Sequence, residues 1–170
     1  MGIFASDMEC TGLLDMMMEQ ESPKLHNFCS LSIDSDEVRL FEGGKDKKKL
    51  QAWFDEGHTF IMHNGYTFDM PALELLGYDI SKTKFIDSLA LSWYLEPNRI
   101  KHGLAEYGVE FGVPKPVIED WESQTQEEYN HRVIEDCKIQ KHLWLKQVGQ
   151  LQELYGKEEG SFDRIGVSAN

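Results

Sequence analysis

The sequence lacks the features of membrane, secreted and zinc-binding proteins. None of its apolar runs approaches the roughly 20 residues that a membrane-spanning helix needs, and its first residues lack the basic segment and long apolar core of a signal peptide. Only three cysteines occur in 170 residues, without the paired spacing of a disulfide framework or a zinc site. We therefore expect a soluble, cytoplasmic protein with reduced thiols and no membrane partner.

Positive charge is also scarce. Lys and Arg number 17 against 30 Asp and Glu, so the formal net charge is −13. This balance argues against a protein that holds nucleic acid through a broad basic surface. It still allows a protein that holds the end of a strand through divalent cations, because these would place positive charge where a phosphate lies. The alternative is that the acidity serves only solubility.

The length and the hydrophobic pattern predict one α/β domain. The predicted strands are 2–8, 25–33, 36–42 and 59–62, a short extended piece follows at Phe85–Ile86, and the predicted helices are 46–55, 68–76, 88–95, 102–110 and a long last one that begins near Thr125. This order predicts an antiparallel meander with a parallel strand beside the first strand. We expect the domain to span residues 1–155, with a tail at 156–170 that is either flexible or the start of something continued in a longer chain.

Two carboxylates lie two residues apart at the end of the first predicted strand. Side chains at positions i and i+2 of a strand share a face, so Asp7 and Glu9 should converge. Like charges this close repel each other unless a cation lies between them. Hard oxygen ligands favour Mg²⁺ or Mn²⁺. Such a pair is common, and taken alone it more often marks a solvated strand end than a metal site.

Two further carboxylates have structural explanations of their own. Asp69 lies at the start of a predicted helix, where the helix dipole stabilises negative charge. Asp136 lies in the last helix between apolar neighbours, and a buried carboxylate needs a partner or a metal ion. Each carboxylate is a weak signal singly, whereas the four in this order are a strong one.

The motifs around these carboxylates resemble those of the DnaQ-like, or DEDD, 3′–5′ exonuclease superfamily. Asp7-Met8-Glu9-Cys10-Thr11-Gly12 resembles its first motif, and the stretch from His63-Asn64-Gly65 through Phe68-Asp69 to Leu73 resembles its second. The second is most similar to the form found in proofreading domains of phage family-A DNA polymerases. Asp136 with His131 five residues before it resembles the third motif. The resemblance covers residues 2–150 and implies an RNase H-like fold, with a mixed five-stranded sheet flanked by helices.

The resemblance implies two divalent cations, Mg²⁺ or Mn²⁺, and the release of nucleoside 5′-monophosphates from a DNA 3′ end. Asp7 would touch both ions, Glu9 and Asp136 would hold the ion that activates water, and Asp69 would hold the second. An exoribonuclease uses the same motifs, so RNA stays an alternative substrate. A catalytically inactive binding module is the alternative from another class. The chain could act alone or with a DNA polymerase, as a partner or as part of one parent chain.

The resemblance also implies a histidine or a tyrosine that orients the attacking water. His131 has the histidine spacing, which predicts a DEDDh-type enzyme, and histidine is the side chain that titrates near neutral pH. Five residues of ideal helix place His131 about 140° away from Asp136, so the helix must bend or begin near His131. Tyr129 is a rival on nearly the same face as Asp136, two turns away.

The substrate pocket is also assigned by resemblance. Its expected members are Met8, Cys10, Thr11, Gly12, Leu13, His63, Asn64 and Phe68. Leu13 and Phe68 could equally be core residues, and His63 and Asn64 could merely build a turn. Arg99, Lys101 and Lys115 are candidates for contacts with the strand, and Trp121 is a candidate for stacking on a base.

Overall fold

A five-stranded mixed sheet forms the centre of the fold, in the order β3-β2-β1-β4-β5. The computed structural model describes residues 1–120 and 123–156. Its elements are β1 (Ile3–Cys10), α1 (Leu14–Glu19), β2 (Leu25–Ser32), β3 (Val38–Glu42), α2 (Lys47–Asp55), β4 (Thr59–Met62), α3 (Asp69–Leu75), β5 (Lys84–Asp87), α4 (Ser88–Leu95), α5 (Leu104–Phe111) and α6 (Gln126–Tyr155). Strands β1 to β3 pair antiparallel, whereas β4 runs parallel to both β1 and β5. The predicted α/β class and mixed sheet are confirmed.

The two faces of the sheet are covered by different helices because neighbouring side chains of a strand point to opposite faces. Phe4 of β1 and Phe60 of β4 belong to the core cluster that contains Phe54 of α2 and Leu73 of α3. Their neighbours Ile3 and Ile61 pack instead with Trp144 and Leu151 of α6. The odd-numbered positions of β1 therefore face α6, and this face continues to Asp7 and Glu9.

Helix α6 begins where the sequence predicts it. The Thr125 hydroxyl accepts the Glu128 backbone N–H, and the Glu128 carboxylate accepts the Thr125 N–H, which completes a capping box. The helix then continues for 30 residues to Tyr155. No helix among residues 1–120 and 123–156 is long and apolar enough to cross a membrane.

Two elements were not predicted as such. Helix α1 has only 6 residues and no side-chain cap, so neither periodicity nor capping indicates it. Strand β5 was predicted only as an extended piece, and it becomes a strand by pairing with β4. Trp121 and the tail beyond Gly156 lie outside the described residues, so the expected base stacking and the boundary at residue 155 remain predictions.

A substitution at Gly43 tests how closely the chain after β3 packs against the start of β2. A Cβ atom at Gly43 would lie 1.6 Å from the carbonyl oxygen of Leu25, so any side chain must push β2 away. We expect Gly43→Ala to lower the free energy of unfolding by more than about 2 kcal/mol. Gly149→Ala, in open space on α6, should raise it by about 0.5–1 kcal/mol. Urea denaturation measures both, and a Gly43→Ala chain as stable as the parent would contradict this packing.

Candidate active site

Three of the four predicted carboxylates lie close together at the end of β1, on the face of the sheet that α6 covers. One oxygen from each of Asp7, Glu9 and Asp136 lies within 4.8 Å of the other two, and the group could hold a metal ion. Asp7 and Glu9 share the face of β1 that α6 covers, and Asp136 is 1% exposed on the covering face of α6. The sheet and the helix thus bring together residues that lie more than a hundred positions apart.

Asp69 approaches the group from a different element. It is the first residue of α3, 3% exposed, directly after the turn that follows β4. It lies outside the group of three, but its charge is close enough to raise the pKa of the Asp7 carboxyl. The structure therefore places Asp69 beside the cluster.

The cluster is electrostatically unfavourable when all its carboxyls are ionised. Burial, and then the charges of Asp136, Asp69 and Glu9, raise the pKa of Asp7 well above its ordinary value. Burial also raises the pKa of Glu9, although the Arg132 guanidinium opposes this. The Asp136 carboxylate is also buried. Such carboxylates are stabilised by protons or by cations, so the residues present fit the expected divalent ions.

Two basic side chains partly offset this charge. Lys115 Nζ lies 3.0 Å from Asp136 Oδ2. Arg132 Nε lies 3.2 Å from Glu9 Oε1 and 4.0 Å from Asp136 Oδ2. Of the three basic residues expected to contact a strand, Lys115 thus reaches the cluster. Arg99 instead lies 2.9 Å from Glu110, and Lys101 lies 3.9 Å from Glu106.

His131 and Arg132 are neighbours in sequence but point differently. Arg132 is turned towards Glu9, with 13% of its side chain exposed. His131 is exposed and lines a cavity of about 650 Å³ that is also lined by residues 116–120 and 123–125. This is the angular separation expected for a straight helix that begins at Gln126. Histidine's role as the base therefore stays a prediction that requires its side chain to move.

A second cavity, of about 610 Å³, opens directly beside Glu9. Six of the eight expected pocket residues line it, namely Met8, Cys10, Thr11, Gly12, Leu13 and Phe68. The Leu13 side chain is 64% exposed, so it is free to contact a ligand and is no core residue. Burial raises the pKa of the Cys10 thiol to about 12, which makes it a poor nucleophile at neutral pH.

The other two expected pocket residues lie in the turn between β4 and α3. His63 Nδ1 lies 2.9 Å from the Ser88 hydroxyl, and its Nε2 lies 2.8 Å from the His102 carbonyl oxygen. The Asn64 N–H donates to Asp87 Oδ1 at 3.0 Å, and Asn64 has a φ of 66°. These contacts build the turn that presents Asp69. The structure does not bring His63 or Asn64 into the cavity beside Glu9.

Sequence reasoning missed two residues of this region, His26 and Asn27. His26 and Tyr129 both line the cavity beside Glu9, and their rings stack with centroids 4.0 Å apart. Asn27, fully buried on β2, accepts the Glu9 N–H and donates to Asn130 on α6. Asn27 thereby ties the end of β1 to the start of α6. The one sequence signal for the role of Asn27 is that a polar residue occurs within a predicted strand that is otherwise mostly apolar.

The buried Asp69 carboxyl gives the metal-free chain a specific dependence on pH. Burial, with the charges of Asp87 and Glu9, raises its pKa to about 7. The folded chain therefore binds this proton more tightly than the unfolded chain, and the stabilisation present below about pH 4 is lost as the pH rises through about 7. In a chelator, we expect the melting temperature of the parent to fall relative to that of Asp69→Asn across this window. Thermal melts at several pH values check this, and parallel curves would contradict it.

Comparisons with known proteins agree on the fold. No protein-family model matches the chain. One similar solved structure is described as the apo form of the nuclease. The match covers 94% of this chain and 78% of that chain, with a TM-score of 0.65 and 17% identity. Phi29 DNA polymerase complexed with primer-template DNA and incoming nucleotides matches 87% of this chain, with a TM-score of 0.57 and 17% identity. At these identities the likeness establishes a shared fold.

One curated protein is similar in sequence over a shorter stretch. DNA polymerase III PolC-type of Mycoplasma pneumoniae is 42% identical over 62 residues, which are 34% of this chain and 4% of that protein. The chain likewise spans 31% of the phi29 polymerase that it matches. The described part of this chain therefore shares its α/β fold, a five-stranded mixed sheet flanked by helices, with the matched solved structures.

Proposed function

We propose that the chain is a divalent-metal-dependent 3′–5′ exonuclease of the DnaQ-like superfamily that acts on DNA. The observation that carries the proposal is the convergence of Asp7, Glu9 and Asp136 within 4.8 Å, with the buried Asp69 beside them. The four carboxylates occur along the chain in the order of the exonuclease motifs. The similarity to a PolC-type DNA polymerase and to phi29 DNA polymerase supports DNA as the substrate.

Asp7 is the carboxylate that ties the four together. It belongs to the group with Glu9 and Asp136, and the Asp69 charge is close enough to raise its pKa. Asp7 would hold both of two Mg²⁺ or Mn²⁺ ions, Glu9 and Asp136 would complete one set of ligands, and Asp69 would complete the other. Bound there, the ions would generate hydroxide from water near neutral pH and offset charge on the phosphate.

The protein's own side chains would bind and orient the strand end. The cavity beside Glu9 offers the backbone of Thr11 and Gly12 and the exposed Leu13 side chain to the terminal nucleotide. The Thr11 hydroxyl donates to Gln20 Oε1 at 2.8 Å, which fixes this loop against α1. His131 is proposed to orient the attacking water after its side chain turns inward, since catalytic contacts often form only when substrate is bound.

The proposal fits a chain that works with a DNA polymerase, either as a partner or within one longer protein. The matched PolC-type and phi29 proteins are DNA polymerases of which this chain spans only a small part. Proofreading is the use that such an arrangement would serve. The finer resemblance to phage family-A polymerases rests on the second motif and on the helix start at Asp87-Ser88-Leu89.

Degradation of labelled strands tests the substrate. Single-stranded DNA, duplex DNA and RNA of one sequence, each labelled at the 3′ end, are incubated with Mg²⁺ or Mn²⁺. We expect single-stranded DNA to lose its label first, as a nucleoside 5′-monophosphate. Faster release from RNA would favour an exoribonuclease instead. A folded chain that binds strands but releases no nucleotide from any of them would indicate a binding module.

A further inference from the structure

Arg132 is the basic side chain buried against the carboxylates from α6. It lies four residues before Asp136, so the helix places the two side chains on one face. Its Nε lies 3.2 Å from Glu9 Oε1, and only 13% of the side chain is exposed. Arginine keeps its charge at every pH at which the protein is folded, so Arg132 cannot take a proton from water. Its position therefore requires a role other than that of a base.

The charges of the site indicate what this role is. The four carboxylates, when ionised, carry four negative charges, and Lys115 and Arg132 offset two of them. The two negative charges that remain are neutralised by a single divalent ion. A second ion at Glu9 and Asp136 must therefore compete with Arg132 for the same oxygens. Competition between two cations for one carboxylate weakens the binding of each.

A guanidinium released from Glu9 can bind a phosphate of the strand instead. It presents its donors in a planar fork that matches two oxygens of a phosphate. Arg132 also lines the cavity of about 650 Å³ beside the first turns of α6. We propose that Arg132 is a counter-cation that pairs with Glu9 before metal binding and moves onto the phosphate of the terminal nucleotide when the ions and the strand bind.

This role rests on the proposed exonuclease function, but half of it can be measured without a strand. Arg132→Gln removes the charge and keeps most of the side-chain length. We expect it to bind Mn²⁺ at least tenfold more tightly than the parent, as titrated by the electron paramagnetic resonance signal of free Mn²⁺. We also expect its rate of nucleotide release at saturating Mn²⁺ to fall at least tenfold. Tighter metal binding with slower release is a combination that a merely structural residue does not give.

Two further variants complete the experiment. Arg132→Lys keeps the charge but loses the planar fork, so its Mn²⁺ affinity should stay within about threefold of the parent while release slows. Arg39→Gln removes an exposed arginine that pairs with Glu37 on β3, and it should change neither quantity. Because Arg132→Lys preserves the ion pair, it also keeps the proposal testable if Arg132→Gln fails to fold.

Each outcome tests a separate part of the proposal. Unchanged or weaker Mn²⁺ binding by Arg132→Gln would overturn the counter-cation role. Unchanged release by both Arg132 variants would overturn the contact with phosphate. A parent chain that releases no nucleotide from any strand would refute the exonuclease function, while the Mn²⁺ titration would still decide whether Arg132 competes with the ion.

Discussion

Replacing Asp7 with asparagine is expected to lower the rate of nucleotide release by about 10³-fold or more. Asp7 groups with Glu9 and Asp136, is close enough to Asp69 for that charge to raise its pKa, and is the carboxylate proposed to hold both ions. Charge stabilisation by bound metal contributes several kcal/mol to such reactions, and each 1.36 kcal/mol is a factor of ten in rate. Asparagine keeps the size of the side chain but removes its charge. The measurement is the initial rate of release from 3′-labelled single-stranded DNA with Mg²⁺ or Mn²⁺.

Asp34→Asn is the matched control, because it makes the same change at an exposed turn between β2 and β3. It should release nucleotides at the parent's rate. The melting temperature of Asp7→Asn in a chelator should not fall, since the substitution removes a charge that burial and three other carboxylates disfavour. A folded Asp7→Asn chain that retains a tenth or more of the parent's rate would refute the proposed site.

Replacing His131 with alanine is expected to lower the rate by about 10²-fold, the effect of losing a general base. His131 is exposed on α6 beside the cavity that Arg132 also lines, so a rotation of its side chain must bring it to the attacking water.

Two variants show whether this effect belongs to His131. His142→Ala changes an exposed histidine on the same helix that stacks on Phe111, and it should leave the rate unchanged. Tyr129→Phe keeps the ring that stacks on His26 and removes only the hydroxyl, so it should also release nucleotides normally. An active His131→Ala chain together with an inactive Tyr129→Phe chain would assign the base to Tyr129 instead.

Local sequence patterns were sufficient to predict most of the fold. The apolar residues of β4 and the capping box of α6 are signals that act over a few residues, and both elements begin where these signals predict. The convergence of Asp7 with Glu9 follows from the two-residue period of a strand. Helix α1 lacks such a signal, because its methionines fit a loop as well as a short helix.

Contacts between distant segments could not be predicted in this way. Lys115 lies in a stretch without secondary structure, so nothing local indicates that it reaches Asp136. Asn27 acquires its role only when β2 and α6 meet. Arg132 is different, since its four-residue spacing from Asp136 already predicts a shared face. The spacing of the family motif directed attention to His131, which the helix turns away from that face.

Crystals of the chain soaked with Mn²⁺ and a nucleoside 5′-monophosphate test the central claim most directly. Anomalous scattering locates the ions independently of any activity. We expect Mn²⁺ within about 2.2 Å of carboxylate oxygens of Asp7, Glu9 and Asp136, with the nucleotide in the cavity beside Glu9. Crystals in which Lys115 and Arg132 still pair with these carboxylates, and no Mn²⁺ lies among them at millimolar concentration, would contradict a metal-dependent active site at this position.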